Sequence, residues 1–226
     1  MDATVDDGSK RGSAMPAKPP KPILFPAGPL PWLKPAIIAG GLAPLVGLVV
    51  GGARRTLGAN PIAEVLNELG LLALIFLVAS LACTPLKTIT GAAWPIRIRK
   101  TLGLFAFFYA ALHLVTYAVI DQGLGWKTIA QDITKRPFIM VGFAAFVILV
   151  PLAVTSTSSM LKRLGAARWK MLHRLAYVAA VLAVIHFVMR VKKDISEPAV
   201  YGALLGSSFL IRIVAFLRAR RGARPF

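Results

Sequence analysis

MLHRLAYVAAVLAVIHF (residues 171–187) is apolar enough to enter a membrane, yet it carries an imidazole near each end, His173 and His186. A membrane-crossing helix needs roughly 20 mostly apolar residues, and the flanks extend this run to about residues 171–190. Ionisable groups inside hydrocarbon are costly, so two histidines in one span imply partners or a function. At 1.5 Å rise per residue their thirteen-residue spacing is about 20 Å, which suits two flat groups stacked one per leaflet. Thirteen steps of about 100° leave the rings roughly 140° apart on an ideal helix, so a bulge or tilt is needed for both to point at one partner helix.

Five further segments have the same length and character, at about residues 35–53, 69–86, 101–120, 138–157 and 198–217. Backbone groups in hydrocarbon must be satisfied internally, so all six spans are expected to be helices, giving an all-α, six-helix membrane bundle over residues 35–217. With 57% hydrophobic residues and a mean hydropathy of +0.69, the 226-residue chain is too apolar for an ordinary soluble domain. Its net charge of +18 does not indicate nucleic acid, because the cations sit in short clusters between apolar runs and form no continuous basic face. They read as topology signals and contacts to the lipid bilayer.

Lysine and arginine are richer in residues 1–34, in the second and fourth loops, and in the basic C-terminus 218–226 than in the other loops. The positive-inside rule then places both termini in the cytoplasm, and no cleavable signal peptide is evident. Residues 1–35 hold eight of the sixteen prolines, so residues 1–34 are expected to be a disordered tail. Pro44 and Pro151 should kink spans one and four, with Thr155, Ser156 and Thr157 helping near the second kink. Gly202 and Gly206 form a small-xxx-small pair in span six, and Arg212 lies where it can snorkel to the cytoplasmic interface. No loop reaches 20 residues, so no nicotinamide or ATP module fits in the chain.

All three histidines fall in predicted spans. His113 lies in the third span at a depth comparable to His186, in the periplasmic half, whereas His173 lies at the cytoplasmic end. Zinc wants three or four converging ligands, and the spans contain no carboxylate, while Cys83, the only cysteine, reads as a small apolar core residue. Haem needs one or two axial imidazoles, apolar walls and cations for its propionates. Phe105, Phe107, Phe108, Tyr109 and Tyr117 surround His113 in sequence. Arg97, Arg99, Lys100, Lys170 and Arg174 cluster at the cytoplasmic level, and Arg190, Lys192 and Lys193 at the other. Without a CxxCH pair the haem is of b type. A histidine-using transporter would need more mid-membrane polar residues than this chain has.

From IRIRKTLGLFAFFYAALHLVTY (residues 96–117) through KRPFI, LAVTS, RLG and WKMLHRLAY, the sequence resembles the MsrQ (YedZ) family across about residues 69–193. It is also similar to the wider ferric reductase and NADPH oxidase transmembrane domain. The resemblance implies a membrane subunit that binds haem b, with FMN also possible. Such a subunit passes electrons from a quinone pool or a cytoplasmic flavin reductase, across the bacterial inner membrane, to a periplasmic molybdopterin subunit, MsrP, which repairs methionine sulfoxide in oxidised proteins. In the wider family, two helices each carry a histidine pair spaced fourteen and thirteen, holding two stacked haems. His173 and His186 match the second pair and His113 the outer member of the first, but Arg99 stands fourteen residues before His113. Arginine is a poor iron ligand. Three outcomes follow: His173 alone holds an inner haem, its sixth ligand comes from elsewhere, or only the outer haem is bound. Arg99 would then pair with a propionate or a flavin phosphate. The competing expectation is a stand-alone ferric reductase or quinol-linked cytochrome b.

Overall fold

The computed structural model describes residues 30–191 and 194–222. Most of the expected tail, Lys192, Lys193 and the last four residues lie outside them. The described residues form helices α1 (Leu33–Ala53), α2 (Pro61–Thr90), α3 (Trp94–Val115, continued by a π-helical segment Thr116–Asp121), α4 (Trp126–Lys135), α5 (Pro137–Val154), α6 (Ser158–Leu164), α7 (Ala166–His173), α8 (Leu175–Arg190) and α9 (Ser196–Gly222). Six stretches are long and apolar enough to cross a membrane: Leu33–Ala53, Pro61–Thr90, Trp94–Asp121, Pro137–Val154, Ala166–Arg190 and Ser196–Arg220. The protein is an all-α, multi-pass membrane bundle, as the length of its apolar runs requires.

Span boundaries differ from hydropathy where polar residues begin a helix. The second span was expected from residue 69 but starts at Pro61, because Asn60 caps it by accepting from the Ala63 amide at 3.1 Å. Proline in the first helical turn of α2, α3 and α5 fits the position whose N–H has no intrahelical partner. The loop after the third span also contains the unexpected helix α4. Its Asp132 accepts from Tyr117 Oη at 3.2 Å and pairs with Arg136 at 3.3 Å. Trp126, at its start, is 72% exposed.

Lipid is as apolar as leucine, so helices here are held by close packing and by polar contacts rather than by exclusion from water. Helix α2 is the hub, packed along α3 and also against α8 and α9, while α5 packs along α8 and against α3. At mid-bundle Ala106, Ala179 and Ala180, each 0% exposed, meet Leu77, Leu81, Leu149 and Leu205. These alanines lie on α3 and α8, each of which packs against both α2 and α5. Phe105 and Tyr109 stack on Phe76 of α2 at 5.1 and 5.5 Å, and the Tyr109 hydroxyl donates to the Gly41 carbonyl of α1. Phe107 stacks on Phe146 at 5.8 Å. These aromatics serve helix packing, and Tyr117 is hydrogen-bonded to α4.

Pro44 and Pro151 lie inside α1 and α5, and a third proline, Pro85, lies inside α2. Helix α5 ends at Val154, three residues short of the expected span. There the Thr155 hydroxyl donates to the Pro151 carbonyl at 2.6 Å and Ser156 to that of Leu152 at 2.7 Å, while Thr157 caps α6. Gly202 approaches Val184, but Gly206 meets nothing within 4 Å, so the two glycines do not form a paired seam. Cys83 is buried, with its thiol on the Ala79 carbonyl at 3.3 Å, as an apolar core cysteine should be.

Arg212 departs from the snorkelling expectation. It turns inward, donating to Tyr177 Oη and to the Leu81 carbonyl, each at 2.6 Å, with its guanidinium 5.2 Å from the Tyr177 ring centre. The reason lies in α2: Pro85 has no N–H, so the carbonyl four residues earlier, Leu81, lacks its intrahelical partner. The guanidinium fork supplies one.

Candidate functional site

The bundle brings His113 and His186 together. Their ring centres are 6.3 Å apart with planes at 82°. A metal bonded at about 2 Å to one nitrogen of each ring requires centres about 6 Å apart. Nδ1 of His113 lies 2.9 Å from the Leu66 carbonyl of α2, and Nδ1 of His186 lies 2.6 Å from the Phe138 carbonyl of α5. A carbonyl only accepts, so each Nδ1 carries the proton and each Nε2 keeps its lone pair. Among the described residues neither Nε2 has a hydrogen-bond partner. Bonding the distal N–H to a carbonyl is how metal-bound histidines are oriented and made more basic. Arg190 donates to Asn67 beside Leu66, tying the end of α8 to α2, and its charge acts on both imidazoles.

His173 sits differently. It stacks on Trp169, one turn earlier, with ring centres 3.9 Å apart, and its Nε2 is 3.2 Å from Thr155 Oγ1. The Thr155 proton is given to the Pro151 carbonyl, so the hydroxyl accepts from His173 Nε2–H. The Trp169 indole donates to the Thr155 carbonyl at 2.9 Å, which fixes the second ring from the same residue. Arg99 is close enough for its charge to act on His173, but its Nη1 donates to Thr84 at 3.3 Å and its carbonyl accepts from Ser80 at 3.0 Å. The histidine of span five and the arginine of span three thus face one level of the bundle without bonding.

The azimuthal offset of the long span is reduced locally. Between α7 and α8 the helix tightens: Arg174 donates to the Met171 carbonyl and Tyr177 to that of Arg174, both three residues back. Each residue wound at three per turn adds about 20° over the α-helical step, which rotates the His186 ring toward the azimuth of His173. Hydropathy carries no sign of this break. Nor did it reveal the bonds of Thr155 to His173, of Trp169 to Thr155 or of Asn67 to Arg190, since these depend on helices that meet only in three dimensions. Among the described residues no group of three or more His, Cys, Asp or Glu side chains could hold a metal ion. Paired imidazoles with free Nε2 atoms suit an axial two-ligand group such as haem better than tetrahedral zinc.

A family model described as ferric reductase like transmembrane component matches residues 68–184, an interval holding Arg99, His113 and His173. The chain is 50% identical over 190 residues to the protein-methionine-sulfoxide reductase heme-binding subunit MsrQ of Rhodospirillum rubrum, across 83% of this chain and 91% of that one. The chain belongs to the MsrQ family. It is also 43% identical over 205 residues to the MsrQ of Ralstonia nicotianae, across 89% of this chain and 94% of the relative. With the MsrQ of Deinococcus radiodurans the identity is 45% over 196 residues, across 87% and 96%. The coverage of each MsrQ relative is nearly complete, so the likeness takes in the bundle and not one motif alone.

Proposed function

We propose that this chain is the haem-bearing membrane subunit of a protein-methionine-sulfoxide reductase system, with a b-type haem held axially by His113 and His186. The observation that carries the reading is the pair of imidazoles with centres 6.3 Å apart, each with Nδ1 on a helix carbonyl and Nε2 free. The names of the MsrQ relatives support it, since they are heme-binding subunits of that system. Bound there, the haem would supply one-electron transfer by cycling between its ferric and ferrous states. The chain's own residues orient the ligands, exclude water with the leucine and alanine core, and present Arg190 as a cation for a propionate. His173 and Arg99 are the proposed residues of a second, inner cofactor level: His173 would serve as an axial ligand once its Nε2 gives up the bond to Thr155, and Arg99 as a partner for a propionate.

The direction of transfer in this reading is from a membrane quinol or a cytoplasmic flavin reductase to a periplasmic molybdopterin subunit. Both termini then face the cytoplasm of a bacterial inner membrane, which the lysine and arginine bias supports. The sulfoxide chemistry belongs to the partner. Spectra of the purified chain test the proposal: a reduced b-type spectrum lost in His113→Ala and His186→Ala is the expected result. A wild-type chain without Soret absorbance overturns it. Reduction of ferric chelates by the chain alone, with no transfer to a sulfoxide-reducing subunit, would favour the stand-alone ferric reductase.

A further inference from the structure

The two outer imidazoles are seated by the same local device on two different helices. His113 meets the carbonyl of Leu66 and, one turn further along α2, Gly70; His186 meets the carbonyl of Phe138 and, one turn further along α5, Gly142. Residues i and i+4 share one face of a helix, and the carbonyl of residue i has a second lone pair beyond its helical bond. A Cβ added at Gly70 would stand 3.2 Å from Nδ1 and Cε1 of His113. At Gly142 it would stand 2.7 Å from Nδ1 and 2.8 Å from Cε1 of His186. Either ring reaches its carbonyl only across a residue with no side chain. Gly41 of α1 makes a like approach to the Phe105 ring, whereas Gly47 and Gly206, also within helices, meet nothing within 4 Å.

We propose that Leu66 with Gly70, and Phe138 with Gly142, form a repeated carbonyl–glycine seat that sets the orientation and basicity of the axial imidazoles. This rests on the reading of His113 and His186 as haem ligands. The glycines are positioning residues. Each lets the ring lie flat against its helix, so that Nδ1–H donates to the carbonyl while Nε2 points to the metal. The two seats lie on different helices, and this holds the ring planes at 82°. Donation from Nδ1–H adds negative character to the ring and favours the ferric state, so it holds the midpoint potential down. Nearly perpendicular imidazoles give a ferric low-spin haem a strongly anisotropic electron paramagnetic resonance spectrum.

The test compares Gly142→Ala, Gly70→Ala and the control Gly206→Ala in the full chain purified with its haem. Gly142→Ala should weaken the His186 bond, raise the midpoint potential and change the low-spin g values. Gly70→Ala, with the looser contact, should do the same to a smaller degree, and Gly206→Ala should match wild type in both. Haem loss from a well-folded Gly142→Ala chain, with Gly206→Ala fully loaded, also supports the seat; if Gly142→Ala does not fold, the Gly70→Ala spectrum decides. Haem-replete glycine variants with wild-type g values and potential overturn the seat alone. A wild-type chain without haem overturns the reading beneath it.

Discussion

The two ends of the fifth span pose the same chemical problem and solve it differently. At the outer end His186 meets a second imidazole, and both rings are held through Nδ1 with Nε2 available. At the inner end His173 has no imidazole opposite it, stacks on Trp169, and gives its Nε2 proton to Thr155. Between the levels, Ala106, Ala179 and Ala180 close the bundle with no exposed surface. Ligand-ready geometry therefore depends on what the neighbouring helices offer each ring: a bare carbonyl leaves Nε2 free, whereas a hydroxyl whose own proton is already committed takes the Nε2 proton.

The largest expected effect removes one side of this contrast. His113→Ala or His186→Ala should abolish the low-spin bis-histidine haem signal, while His173→Ala should leave it in place; optical spectra with haem-to-protein stoichiometry decide. Loss of all haem in His173→Ala would break the separation of the two levels. Arg99→His restores a histidine fourteen residues before His113, and it should add low-spin haem at the inner level, read as a rise in haem per chain. No rise means that the Arg99 position does not face an inner haem.

A third effect concerns Thr155 alone. Thr155→Val removes the acceptor of His173 and should cost about 1 kcal/mol, measured by thermal unfolding in detergent, with the outer haem spectrum unchanged. A fourth couples two distant positions. Arg212→Met should destabilise the chain, and the loss should shrink by about 1 kcal/mol when Pro85→Ala gives the Leu81 carbonyl a helical partner. Equal losses in both backgrounds would refute the orphan-carbonyl account. The smallest effect lies outside the membrane. Asp194 accepts from the Ser196 amide at 2.9 Å and from its hydroxyl at 2.5 Å, which holds its carboxyl below the ordinary carboxylate value. A depressed carboxylate contributes at neutral pH and loses its contribution as pH falls through its folded-state value. The first-turn amides of α9 should then lose protection, relative to their intrinsic exchange rates, under acid, and Asp194→Asn should flatten that dependence.

Much of the site was legible because its residue types are rare here: three histidines, all in apolar spans, demanded an explanation. Their depths followed from rise per residue, so His113 and His186 could be paired before any helix was placed. The missed parts share a cause. Pro85 gives little signal inside an otherwise apolar run, and the direction of Arg212 is set by partners on α2 and α8 that its own helix does not show. Helix α4 does carry a signal, Trp126, Ile129, Ala130 and Ile133 at helical spacing, which a search for apolar length passes over, and the contacts of the aromatic cluster around His113 with α1, α2 and α5 depend on helices distant in sequence.

Apolar length and the hydrogen-bonding demand of the backbone in lipid determined six helices from sequence alone. Residue spacing set the depth of each histidine. The tertiary structure decided which atom of each ring is free. The partners in question, Leu66 and Phe138 carbonyls for two rings and Thr155 for the third, lie 47, 48 and 18 residues away. A tautomer is fixed by a contact between helices, and no periodicity along one helix encodes it.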